Sequence, residues 1–150
     1  SFYNELQNLM TIELRKNLIF KKCLKNLPAL VSANFRKYTI SQADHGYTLD
    51  STEGLNIIAN MTWSNFLNSI DCISSSLSIM NLIHCDMQPK NFVINLNRVI
   101  SIIDFDMAYV KGNTVMYPSK KTHFCTSNVS KSFSSAAFKT KWEILFRRLV

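Results

Sequence analysis

Residues 82–110 read LIHCDMQPKNFVINLNRVISIIDFDMAYV, and this stretch decides how the rest of the chain is read. Two runs rich in β-branched residues, Phe92-Val93-Ile94 and Val99-Ile100-Ser101-Ile102-Ile103, flank the polar interval Asn95 to Arg98, a spacing that predicts a β-hairpin. At the entrance of that hairpin stand His84, Asp86 and, five residues after Asp86, Asn91; at its exit stand Asp104 and Asp106. Each alone has a plain structural use: a surface carboxylate, a capping amide, a core histidine. Together they offer carboxylate and carbonyl oxygens of the kind that hold a hard divalent cation, and a hairpin folds the two groups onto each other.

Outward from this motif the chain is expected to be mixed α+β. Leu6, Leu9, Met10, Ile12, Leu14 and Leu18 recur at three- and four-residue steps and predict a helix over 2–20, with Pro28 barring any continuation. Leu30 to Ile40 reads as two short strands around Asn34-Phe35-Arg36-Lys37, and 42–46 as a connector. After a turn-like segment from Asp50 to Gly54, the apolar positions between Leu55 and Leu82 predict two helices, the second capped by the Thr62 hydroxyl. The Ser-rich stretch 119–135 predicts a long loop, and 136–150 a further helix.

Bulk properties narrow the function. The chain has 150 residues, 47% of them hydrophobic, enough for one sizeable core. A net charge of +7 would suit an anionic partner, but Lys and Arg are scattered from Arg15 to Arg148 and do not interleave with aromatics. A solvated basic surface is therefore expected, with no nucleic acid as partner. No apolar run reaches the roughly 18–20 residues that a membrane span needs. No basic segment precedes an apolar one near Ser1, so a signal peptide is expected to be absent or upstream. Cys23, Cys72, Cys85 and Cys125 are far apart with no C-x-x-C pair, which leaves room for one or two disulfides but argues against a zinc ribbon. Asn60-Met61-Thr62 and Asn128-Val129-Ser130 are glycosylation sequons, meaningful only in a secretory protein.

The motif has a known parallel. His84-Cys85-Asp86 with Asn91, followed by Asp104-Phe105-Asp106, resembles the H-R-D-x-x-x-x-N and D-F-G pattern of protein kinases. Through HCDMQPKNFVI and IIDFDMAYV the sequence is similar to the divergent protein kinase domain 1 family, kinase-like proteins of the endoplasmic reticulum and Golgi. That resemblance implies a kinase-like α+β fold: the end of a small lobe and a hinge over about 1–46, then the start of a helical large lobe over about 47–150. It implies ATP with Mg²⁺ or Mn²⁺ as cofactors and a protein or small-molecule hydroxyl acceptor. Asp86 would be the catalytic base, and Asn91, Asp104 and Asp106 the metal ligands. Glu5 would take the helix C position in preference to Glu13, and Gln42 and Asp44 would lie on the nucleotide side of the hinge. It further implies residence in the endoplasmic reticulum or Golgi lumen, the cytoplasm being the alternative.

The departures carry weight too. Cys85 replaces the Arg of H-R-D, so activation through a phosphorylated loop is not expected. Asp106 replaces the Gly of D-F-G, which is similar to the D-x-D of small-molecule kinases such as choline phosphotransferases. Gly46, Gly54 and Gly112 are the only glycines, and none belongs to a phosphate-gripping loop, so that half is expected upstream. The helix C segment would then lack a sheet partner and the 150 residues would be marginally stable and inactive alone, leaving a binding scaffold as the rival of a phosphotransferase.

Overall fold

A computed structural model describes residues 1–43 and 46–112, a mixed α+β arrangement of helices around small antiparallel sheets. Asp44, Cys125, the second sequon, the Ser-rich loop and the last expected helix lie outside the described residues.

Helix α1 (Phe2–Arg15) opens with the Ser1 hydroxyl accepting the Asn4 N–H and buries one face through Leu6, Leu9 and Ile12. It ends at Arg15, short of Phe20. Neither glycine nor proline marks this stop; Arg15 donates to the Met80 carbonyl and the chain tightens into a 3₁₀ turn, Lys16–Leu18, that delivers Ile19 and Cys23 to the core.

The next two strands, β1 (Leu30–Asn34) and β2 (Thr39–Gln42), pair as a hairpin. Asn34 makes the turn, its side-chain oxygen accepting from Arg36 N at 3.0 Å and Lys37 N at 3.1 Å, while Tyr38 takes a left-handed φ of 52°. Contrary to expectation, α1 has a sheet partner in this hairpin. Glu13 accepts from Leu30 N at 3.0 Å, and the Phe2 ring meets Phe35 and Tyr38 edge-on at 5.6 and 5.7 Å. A carboxylate on the strand's edge and an aromatic cover over the turn dock the helix.

Strand β3 (Tyr47–Thr48) leads into α2 (Thr52–Ile58), capped by Ser51, and α3 (Trp63–Ile79), capped by the Thr62 hydroxyl at 3.1 Å from Asn65 N. The predicted pair of helices is thus present. Gly54 is not a turn residue. It sits in the first turn of α2, where an added Cβ would lie 2.0 Å from the Thr48 carbonyl oxygen, so only glycine lets helix and strand meet.

Phe66, Ile70, Ile73 and Leu77 form a buried stripe along α3 and join Phe92, Ile94, Ile100 and Ile102 in one continuous core. The last four belong to the expected hairpin, β5 (Phe92–Ile94) and β6 (Ile100–Ile102), which extends the sheet in the order β3-β5-β6. Strands β4 (Leu82–Ile83) and β7 (Tyr109–Val110) pair antiparallel, Leu82 opposite Val110, and clamp the two ends of the 82–110 motif together. A disulfide, Cys23–Cys72, ties the 3₁₀ turn Lys21–Asn26 to α3.

Candidate active site

The β4–β5 loop is organised around His84. Its ring is fully buried, Nε2 lies 2.7 Å from the Ile103 carbonyl oxygen and Nδ1 accepts the Asp86 N–H at 3.1 Å. With Nδ1 an acceptor, Nε2 carries the proton, and the ring is neutral. Burial holds its pKa below the ordinary value, outweighing the Ile103 bond and the nearby Asp104 and Asp86 charges, which favour protonation. The Phe105 ring meets it edge-on at 4.8 Å. His84 is therefore a brace between the two halves of the motif, with no face open for proton transfer.

Asp86 is held from two sides. Asn91 donates its amide to the Asp86 carbonyl at 2.7 Å and to Oδ2 at 2.9 Å, while Gln88 donates to Oδ1. Pro89 starts the 3₁₀ turn that carries Asn91, and Asn91 N closes onto the Gln88 carbonyl at 2.9 Å. Both amide hydrogens of Asn91 thus point at Asp86, so the acceptor end, Oδ1, is the end a cation would use.

The second half is joined to the first by backbone. Ile103 N donates to the Asn91 carbonyl at 2.8 Å, so the residue before Asp104 is bonded to the loop through both its N–H and, via His84, its C=O. Asp104 follows with a φ of 61°, a left-handed conformation that is sparsely populated outside glycine and concentrates at functional sites. Its Oδ1 lies 3.4 Å from Asp106 N.

Helix α1 supplies the third side. Asn8, buried among apolar neighbours, donates to the carbonyls of Phe105 and Ala108, both at 2.8 Å, and Asn4 donates to that of Asp106. Half-buried Glu5 has its pKa raised, first by desolvation and then by the negative charges of Asp104 and Asp106, against which the Phe105 backbone and the Ser1 amino group pull down. Asp106 also contacts that amino group. Glu13 instead serves β1 and Lys16 and takes no part here.

The structure thus joins Asp86 and Asn91 directly, sets Asp104 beside them through Ile103, and brings Asp106 and Glu5 to the same corner. Gln42 ends β2 opposite Leu30, on the hairpin. Gln88, Asn4 and Asn8 were not singled out by sequence reasoning. Asn8 had a legible signal: with Glu5 and Ile12 it lies on the buried face of an amphipathic helix, where an amide must find a partner.

Among the described residues, no three His, Cys, Asp or Glu side chains form a ready-made metal cluster. The oxygen donors of Asp104 and Asn91 are nonetheless of the kind that Mg²⁺ or Mn²⁺ would take. Mg²⁺ characteristically takes one or two carboxylates and completes its shell with phosphate oxygens and water. Asp104 and Oδ1 of Asn91 would hold it, and it would neutralise charge developing on the phosphates. No protein-family model matches the sequence, and no curated protein is significantly similar to it.

Proposed function

We propose that the chain is the catalytic-loop portion of a divergent kinase-like phosphotransferase of the divergent protein kinase domain 1 type, moving a phosphoryl group from ATP to a hydroxyl. One observation carries the reading. The Asp86–Asn91 pair and Asp104 stand on the two loops that flank the β5–β6 hairpin, and the Asn91–Ile103–His84 bonds fix those loops to each other. Phosphoryl transfer rests on positioning and electrostatics, and a rigid pairing of one proton acceptor with a cation-binding amide and carboxylate serves both. Asp86 accepts the proton of the attacking hydroxyl, Gln88 and Asn91 hold its carboxylate in place, and Asn91 with Asp104 holds the metal–nucleotide.

The presence of Asp106 where protein kinases have glycine favours a small-molecule acceptor as a second reading. The Cys23–Cys72 disulfide supports an oxidising compartment such as the endoplasmic reticulum or Golgi lumen, and Asn60 of the first sequon is exposed on the α2–α3 connection.

The test is transfer of labelled γ-phosphate by the protein, with Mn²⁺ or Mg²⁺, to a protein substrate mixture and to a set of small hydroxylated compounds. Label in either class, lost in Asp86→Asn, supports phosphotransfer and decides the acceptor. Label in neither, despite nucleotide binding, would turn the assignment to a binding scaffold.

A further inference from the structure

A cleft of 590 Å³ opens between the 3₁₀ turn Lys21–Asn26 and α3. That size lies within the roughly 300–1,000 Å³ that encloses small-molecule ligands. In a 3₁₀ helix residues three apart eclipse, so Lys22 and Lys25 project side by side, and both line the cleft. Among the described residues neither lysine has an ion pair. Beside them stands the Phe20 ring, 64% exposed, and across from them α3 presents the polar side chains of Asn68 and Ser75.

The walls are rigid. The Cys23–Cys72 disulfide forms part of the lining, Ser101 Oγ donates to the Lys25 carbonyl at 3.0 Å, and Asn26 Nδ2 donates to the Ile100 carbonyl at 2.6 Å. These bonds orient the Asn26 side chain and leave its Oδ1, in a residue only 1% exposed, as the buried side-chain atom among the described residues with no hydrogen-bond partner. Asp71 also lines the cleft and disfavours ligands of high negative charge.

We propose that this cleft binds a small phosphate or sulfate ester of a hydroxylated compound, a sugar ester being the simplest that fits. Lys22 and Lys25 hold the tetrahedral anion, Phe20 lies against the ring, and Asn68 and Ser75 meet its hydroxyls. The site is separate from the Asp86–Asp104 corner and does not depend on the phosphotransfer reading.

The test is calorimetric titration of the oxidised full chain, at about 0.15 M salt so that unspecific surface attraction is screened, with a hexose 6-phosphate, the matching 6-sulfate and the free hexose. One or both esters should saturate with a Kd below about 1 mM, and the free hexose should bind at least about tenfold more weakly. The double variant Lys22→Ala/Lys25→Ala should lose about tenfold or more, while Lys21→Ala/Lys37→Ala, which removes the same charge outside the cleft, and Asp104→Ala should not. Saturation by one ester alone supports the site and fixes the anion it prefers. No saturation by either ester, equal loss in the two lysine pairs, or loss on Asp104→Ala would overturn the proposal.

Discussion

At the scale of single residues, the site separates holding from chemistry. Asp86→Asn keeps the size of the side chain but removes the proposed proton acceptor. Turnover should fall by about 10²–10⁴, with nucleotide affinity changed little, as seen by comparing kcat with ATP binding. Two buried ionisable groups set opposite trends with pH. His84 has a folded pKa below its unfolded value of 6.5, so its contribution is complete above pH 6.5 and is lost as pH falls toward the folded value. His84→Gln should therefore flatten the acid side of a plot of unfolding midpoint against pH. Glu5 is raised above 4.5, so stability is complete below pH 4.5 and is lost as pH rises through the folded value. Glu5→Gln should raise the melting midpoint at neutral pH, and the gain should vanish near pH 4. A Glu5→Gln midpoint equal to or below the parent's at pH 7 would show that the carboxylate has a cationic partner instead of crowding Asp104 and Asp106.

At the scale of elements, α1 is fastened by Asn4 near its start, Asn8 at its middle and Arg15 at its end. Asn8 bonds it to the Asp104–Ala108 segment, and beyond its C-terminus the Cys23–Cys72 bond fixes the following turn to α3. Asn8→Ala removes the amide from both carbonyls, of which Phe105's keeps the Ala108 N–H as a donor, and should cost about 1–3 kcal/mol in denaturant unfolding. The disulfide closes a loop of 49 residues in separation, and its removal by Cys23→Ser/Cys72→Ser should cost roughly 4 kcal/mol on the chain-entropy account, lowering the melting midpoint by roughly 10 °C. Local signals made several of these elements legible in advance. The β5–β6 hairpin followed from β-branched runs around Asn95, whose side chain indeed makes the turn through Asn97 N and Val99 N. Thr62 followed from its hydroxyl ahead of an apolar period. The two-residue strands β3, β4 and β7 were not legible, because so short a segment has no periodicity and exists only through its partner. The end of α1 at Arg15 was missed for a related reason, since a bond to Met80, remote in sequence, supplies the stop.

At the scale of the whole molecule, the 82–110 motif is rigid because everything around it is anchored to it. The β4–β7 clamp closes its base, α3 and the core sheet support one side, and α1 covers the other. The types and spacing of Asp86, Asn91 and Asp104 were readable from sequence because a loop and a hairpin are local. Glu5 and Asn8 could be placed on one helix face but not matched to the acidic corner, since that contact spans about a hundred residues of chain. Among the described residues β2 pairs with β1 alone, which keeps Gln42 on that hairpin. The central claim is that Asn91 and Asp104 form the floor of a metal–nucleotide site. Calorimetric titration of ATP into the protein with Mg²⁺, with Mn²⁺ and with EDTA, repeated on Asp104→Ala, tests it most directly. The account predicts saturable binding that requires the divalent cation and disappears in the variant; metal-independent binding that survives Asp104→Ala, or no binding at millimolar nucleotide, would contradict it.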